Sequence, residues 1–245
     1  MAVAWCLTGG GAYLREVVDY MVKIKRETNA KVTVFFTKWG YEVARIFGVL
    51  QKIRLVAGGG YYEEILVGDE GMYYIGRLNR RRYSVVVIAP ATSNTIAKIV
   101  HGIADSVASA IFSQAVKSGV PVVVLPTDMP NEKGVVVTET PCYIDRNICL
   151  YTKCGRCSAQ EACSVKAIKI VDGLPRIDLG VCIGCGVCVH SCIYGAVKCW
   201  EKVELRPRET DLRNIELLKK IEKTYVVSSP EQLYKTVKRI VFGGD

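Results

Sequence analysis

Cys182, Cys185, Cys188 and Cys192 are separated by two, two and three residues, and a thiolate is a soft, electron-rich ligand for iron or zinc. Such close spacing lets one loop wrap a single inorganic group. Gly184 and Gly186 keep that loop free of side chains, so amide N–H groups can approach the sulfurs. A second set, Cys149, Cys154, Cys157 and Cys163, has four, two and five residues between successive thiols. The flanks mark an internal repeat, because Cys163-Ser-Val-Lys-Ala-Ile matches Cys192-Ile-Tyr-Gly-Ala-Val.

The two-two-three run is the spacing with which bacterial ferredoxins hold three corners of one cubane while the fourth thiolate reaches across to another. By the symmetry of the repeat, one [4Fe-4S] cluster is expected on Cys149, Cys154, Cys157 and Cys192, and a second on Cys182, Cys185, Cys188 and Cys163. The first copy has expanded spacings, and Ser164 and Ile193 stand where ferredoxins usually place proline. Two zinc ions are the competing reading, disfavoured because the two-two-three run is not a zinc-ribbon spacing. Cys6, Cys142 and Cys199 fall outside the repeat and receive no role, Cys6 reading as a buried strand residue. The two histidines, His101 and His190, have no partner at metal or catalytic spacing; they read as helix surface and cluster loop.

These thiols need a scaffold, and of the eleven cysteines only Cys6 lies in the first 140 residues. That asymmetry divides the 245-residue chain into residues 1–140, a ferredoxin-like insertion at 141–200, and a returning segment at 201–245. Residues 2–7, 31–37, 84–88 and 120–125 are apolar runs that do not alternate, as in strands buried on both faces. Helical periodicity over about 12–28, from about 40, and over 95–118 lies between them. The expected fold is α/β, a doubly wound parallel sheet of Rossmann type, with an inserted α+β ferredoxin-like domain. A strand at 135–138, a helix at about 211–223, a strand at 225–227 and a helix from Pro230 follow, and the tail is expected to pack back on the first domain. A dimerisation arm is the alternative.

Strand one ends in Thr8-Gly9-Gly10-Gly11-Ala12, which lets backbone amides and a helix N-terminus approach a phosphate. Leu14 replaces the third glycine of a dinucleotide fingerprint, and strand two ends in Thr37-Lys38 where an NAD site offers an acid. A mononucleotide is therefore favoured. The stretch Pro90-Ala91-Thr92-Ser93-Asn94-Thr95, after a buried strand and opening a helix, supplies the small side chains and hydroxyls that a flat ring and polar tail need.

That stretch, continuing through Gly102-Ile103-Ala104-Asp105, resembles the signature of the flavoproteins that include the cysteine-peptide and phosphopantothenoylcysteine decarboxylases. The resemblance implies FMN at the sheet edge and trimer-based homo-oligomers. It does not imply decarboxylation: Gly76 stands where those enzymes carry histidine, and their substrate clamp is altered to Pro126-Thr127-Asp128-Met129-Pro130-Asn131. The tail motifs Arg208-Glu209-Thr210-Asp211 with Asn214, and Ser229-Pro230-Glu231, resemble the archaeal flavoprotein branch that includes the dihydromethanopterin reductases (acceptor).

The resulting expectation is an oxidoreductase. Electrons from ferredoxin or another redox protein pass through two [4Fe-4S] clusters to FMN and on, as hydride, to the C=N bond of a pterin-type substrate. Asn94 is the single side chain expected to orient substrate or flavin, with a helix N-cap as the alternative. A non-enzymatic electron carrier and a zinc-binding regulator are the rival classes. The net charge of +9, with Arg77, Arg80, Arg81 and Arg82 clustered, suits an anionic partner or a solvated surface. No nucleic-acid motif accompanies it. Neither a signal peptide nor a membrane span is read, so a cytoplasmic location is expected. Gly58-Gly59-Gly60-Tyr61-Tyr62 reads as a mobile loop that could cover the flavin.

Overall fold

The computed structural model describes residues 1–242. The chain separates into two compact units, one made of Met1–Val43, Leu50–Thr138 and the chain from Glu204 onward, the other of Ala44–Val49 and Glu139–Val203.

The first unit begins β1 (Ala2–Leu7), α1 (Leu14–Thr28), β2 (Lys31–Phe36), α2 (Lys38–Ile46), α3 (Leu50–Arg54), β3 (Ile65–Val67) and α4 (Asp69–Met72). After a 3-10 turn at Ile75–Arg80 come β4 (Val85–Ala91), α5 (Ser93–Val100), α6 (Val107–Ser118), β5 (Val122–Pro126) and β6 (Val136–Glu139). Next are β7 (Tyr143–Ile144), α7 (Tyr151–Cys154), α8 (Ser158–Glu161), β8 (Ile168–Val171), β9 (Leu174–Ile177), α9 (Val187–Ser191), β10 (Val197–Lys198) and β11 (Lys202–Leu205). The chain ends with α10 (Glu209–Lys219), β12 (Thr224–Val226) and α11 (Pro230–Phe242).

Six strands form one parallel sheet in the order β12-β5-β4-β1-β2-β3. Every residue of β1, β4 and β5 is buried, which explains why their sequences run apolar without alternation. Cys6, Phe35, Ile88 and Val124 meet Ile96, Ile111 and Leu218 in one helical layer, and each large apolar side chain so buried contributes about 1.5–3 kcal/mol. Burial alone pushes the Cys6 thiol far above its ordinary range, so it stays neutral as a core residue. The strand order reverses between β1 and β4. A doubly wound sheet opens a crevice at its carboxyl edge at that point.

The helical periodicity over 95–118 conceals two helices. Gly102 takes a left-handed φ of 73° and ends α5, a conformation glycine adopts without penalty. Ser106 and Ser109 then exchange side-chain-to-backbone bonds of 3.2 and 3.3 Å that start α6. Lys98 and Asp105 pair at 2.8 Å across the break. In the tail, β12 adds to the sheet beside β5 with Tyr225 opposite Val123. Tyr234 of α11 stacks on Tyr20 of α1 with ring centroids 5.2 Å apart.

In the second unit, β7 pairs antiparallel with β10 and β8 with β9. A disulfide joins Cys142 to Cys199, two residues to which the sequence assigned no role. One buried apolar cluster there holds Ala159, Ile168 and Val197, with half-buried neighbours that include Cys157, Cys163, Cys188 and Cys192, and Cys142, Ala167, Cys182 and Ala196 are buried as well. So small a core does not stabilise a unit of this size unaided; domains of this kind rely on cross-links or metals.

Candidate functional site

Cysteines from both copies of the repeat meet in the second unit: Cys163, Cys182, Cys185 and Cys188 line one small apolar cavity, and Cys157, Cys163, Cys188 and Cys192 pack against the unit's buried apolar cluster. Burial raises the Cys154 thiol, and its charged-state neighbours Cys149, Cys157 and Cys192 raise it further. Cys188 is pushed up to about 11, first by burial and then by Cys182 and Cys185, with Cys163 adding to them. Burial is also the leading cause for Cys182; Cys185 and Cys163 add to it, against a lowering by the Gly184 amide. Thiols that disfavour one another's charged form in this way become thiolates more readily around a cationic core.

Among the described residues no three cysteine, histidine or carboxylate side chains close on one point as a single-ion site requires. A cubane asks for less crowding, since each thiolate binds a different corner iron. Backbone amides already point at the sulfurs, Ala167 donating to Cys163 Sγ at 3.2 Å and Gly184 to Cys182 Sγ at 3.4 Å. These bonds favour the charged thiolate.

Arg45, in the short segment Ala44–Val49 that belongs to this unit, was not legible from sequence. Its guanidinium donates to the carbonyls of Cys182 and, at 2.9 Å, Leu179. The backbone of Gly48 packs on Gly184 so tightly that a Cβ on Gly48 would lie 2.3 Å from the Gly184 carbonyl oxygen.

In the first unit, the carboxyl edge of the sheet brings Thr8–Ala12 and Pro90–Thr95 together. Buried Thr8 donates through Oγ1 to the Pro90 carbonyl at 2.7 Å and accepts from the Thr92 amide at 2.9 Å, which fixes one loop on the other. Gly10 is needed because a Cβ there would lie 2.5 Å from Thr127 Cγ2 and 3.4 Å from Thr92 Cγ2. Thr92 at the start of α5 and Tyr13 at the start of α1 give no side-chain cap. Neither N-cap side chain therefore occupies the first-turn amides, the groups with which a helix start binds phosphate.

Thr37 spends its hydroxyl oxygen on the Gly40 amide at 3.0 Å, and Lys38 is exposed at the start of α2. Asn94 is exposed in the first turn of α5, and the cap position belongs to Thr92, so the capping role expected for Asn94 as an alternative does not hold.

Sequence reasoning missed Thr127 as a wall of the crevice; its amide and hydroxyl both donate to the Ala91 carbonyl, at 2.9 and 3.3 Å. It also missed Tyr13, which with Met129, Asn131, Lys133 and Ser228 lines an open cavity of about 490 Å³. Arg208 holds the buried Asp211 carboxylate at 2.8 and 2.9 Å, and this hydrogen bonding keeps Asp211 below the usual carboxylate range.

Two expectations are corrected. The loop containing Tyr61 and Tyr62 precedes β3 and is bonded by Lys31, at the start of β2, through the Tyr61 carbonyl at 3.0 Å. It therefore lies at the amino edge of the sheet and does not cover the Gly9–Ala12 crevice of its own chain. Arg77 is not a free surface cation: it pairs with Glu64 at 2.9 Å and lies over the rings of Tyr61, Tyr62 and Tyr74. His101 and His190 are exposed. No helix among the described residues is long and apolar enough to cross a membrane.

The sequence profile of the Flavoprotein family matches residues 1–136. A dihydromethanopterin reductase (acceptor) from Methanosarcina mazei is 37% identical over 236 residues, 94% of this chain and 96% of that protein. An uncharacterized ferredoxin of Methanocaldococcus jannaschii is 40% identical over 45 residues, 18% of this chain and 30% of that protein. The crystal structure of Burkholderia xenovorans DmrB in complex with FMN, described as a cubic protein cage for redox transfer, superimposes with a TM-score of 0.62. It is 23% identical and covers 99% of this chain and 96% of that one.

Proposed function

The chain belongs to the Flavoprotein family, and from that premise we propose that it is an iron–sulfur flavoprotein reductase of the dihydromethanopterin reductase (acceptor) kind. What carries the reading is the cavity that Cys163 of the first copy of the repeat lines together with Cys182, Cys185 and Cys188 of the second, in a chain whose other unit offers a mononucleotide cradle. The 37% identity to the M. mazei reductase over 94% of the chain supports the reaction class.

FMN fits the first unit. Thr8, Gly9, Gly10, Gly11 and Ala12, with the uncapped start of α1, would take its phosphate; Pro90, Ala91, Thr92, Ser93, Asn94 and Thr95 would line the ring and ribityl chain. Thr37 and Lys38 close the same edge. Bound there, flavin supplies conversion between one-electron and two-electron chemistry. Thr8, clamped to Pro90 and Thr92, holds the two loops in register, and Thr127 excludes water behind Gly10. The cavity beside Tyr13 and Lys133 is of a size for a small heterocycle, and we assign it to the pterin, with Lys133 toward an anionic tail.

Two [4Fe-4S] clusters fit the second unit, one on Cys149, Cys154, Cys157 and Cys192, the other on Cys182, Cys185, Cys188 and Cys163. Residues 139–203 act as an inserted module that accepts single electrons from ferredoxin or a similar donor. The functional form is a homo-oligomer built on trimers; Trp39, 70% exposed beside Lys38 of the cradle, is surface of the kind a neighbouring subunit covers.

The deciding experiment is anaerobic turnover with a reduced one-electron donor and dihydromethanopterin. Product formation supports the reductase. Rapid oxidation by a protein acceptor, with no pterin reduced, would make the chain an electron carrier.

A further inference from the structure

We propose that the Cys142–Cys199 disulfide is a redox site wired to the cluster position formed by Cys163, Cys182, Cys185 and Cys188, and that it stores a pair of electrons in the second unit. This inference rests on the reading of that unit as an iron–sulfur module.

Three observations point to it. Cys142 is buried, 3% exposed, and forms part of the wall of one apolar cavity together with Cys163, Cys182, Cys185 and Cys188. One residue of the bridge therefore borders the same cavity as the four cysteines of that proposed cluster position. Trp200, directly after Cys199, lies against the loop between two of those thiols: a Cβ on Gly186 would fall 2.9 Å from Trp200 Cη2. Finally, the bond joins the ends of two short paired strands, with Lys198 opposite Tyr143, and Trp200 donates to the Thr140 carbonyl at 3.0 Å. These backbone bonds hold the strands together when the sulfurs part, so opening the bond needs no unfolding. Cys199 is half-buried and gives solvent protons a route to the pair.

The chemistry balances. The S–S bond takes up two electrons, arriving one at a time by way of the cluster position, and two protons from solvent. The bond breaks and two thiols form. The electrons come from a low-potential one-electron donor of the iron–sulfur protein class, which is oxidised by two equivalents; titanium(III) serves in its place in vitro. A bridge that only braced the fold would have no need to border the thiols that hold an electron carrier.

The test uses the reconstituted holoprotein, reduced anaerobically with titanium(III) citrate while EPR follows the clusters. It is then denatured in excess alkylating agent and digested for mass spectrometry. Nine cysteines are free and two are bridged, so labelling is expected to rise from nine to eleven, the new labels at Cys142 and Cys199. In a reductive titration, the Cys142→Ser, Cys199→Ser double variant is expected to accept about two fewer electrons per chain, with nine labels throughout.

Reduced clusters by EPR with Cys142 and Cys199 still bridged would overturn the inference. So would bond opening at the same rate in iron-free protein, because the clusters would then carry none of the current. A preparation with no iron and no EPR signal would remove the iron–sulfur module itself, an outcome that iron analysis reads independently of the labels.

Discussion

Gly10 and Thr127 approach so closely that a Cβ on the glycine would lie 2.5 Å from the threonine methyl. The glycine-rich loop is thus fitted against the end of β5 and is not merely a turn of low steric demand. Gly10→Ala is expected to weaken FMN binding by about tenfold, roughly 1.4 kcal/mol, with the far-ultraviolet spectrum unchanged. Thr127→Ser keeps the hydroxyl that bonds Ala91 and removes the obstructing methyl. The Gly10→Ala, Thr127→Ser pair should therefore recover most of the affinity in a fluorescence titration; no recovery would show that the loop fails for another reason.

Thr8 ties the end of β1 to the end of β4 with one donated bond that is buried and one accepted bond that is half-buried. Thr8→Val keeps the shape and the backbone bond from residue 8 to the Pro90 carbonyl, but removes the hydroxyl bond to that carbonyl and leaves the Thr92 amide without its side-chain partner. The expected loss is about 2 kcal/mol of stability, visible as a lower midpoint in chemical denaturation, with FMN bound more weakly at the same time.

The proposed assignment of the cysteines to two clusters makes a numerical prediction. Cys185→Ala and Cys154→Ala should each lower bound iron by about half, because each removes a corner of a different cluster. Inductively coupled plasma analysis of anaerobically reconstituted protein measures this. Loss of all iron from either variant would mean that the two groups are not separate sites.

Arg45 places a positive charge beside the carbonyl of Cys182. A cation there favours the more negative, reduced state of a nearby cluster. Arg45→Gln should make one cluster harder to reduce, its midpoint moving to lower potential in an EPR-monitored titration while the other cluster stays where it was.

Asp211 is held below its ordinary range first by its hydrogen bond to Arg208, against an opposing push from burial. A carboxylate whose folded pKa is depressed adds stability above its unfolded pKa of about 3.9 and loses that contribution as pH falls through the folded value. Asp211→Asn should therefore cost about 1 kcal/mol at neutral pH. The difference from the parent should close as pH drops below about 4, in denaturation curves taken at several pH values.

The spacing of cysteines and the apolar runs made much of this molecule legible, because both are local patterns. Three residues between Cys188 and Cys192 specify a short helix, and an unbroken run such as Val85–Ile88 specifies a strand covered on both faces. The break at Gly102 was obscured because apolar residues on either side keep nearly the same helical phase. Arg45, Thr127 and the Cys142–Cys199 bond could not be seen, since each acts on residues distant along the chain: Arg45 meets the carbonyl of a residue 137 positions away, and the bridge spans 57. Arg77 misled in the opposite direction. Its neighbours in sequence are exposed cations, but its partner is Glu64, and three tyrosine rings cover it.

The position of β12 bears on how the protein is made. Five strands of the large sheet leave the ribosome before any cysteine of the repeat, and the sixth, which lies beside Val122–Val124, is translated only after the last of them. Until then the β5 edge stands open and apolar, an invitation to pairing with other nascent chains. All of the intervening residues must be made before β12 can cover that edge, so a newly made chain stays liable to mispairing at β5 until Thr224–Val226 has emerged.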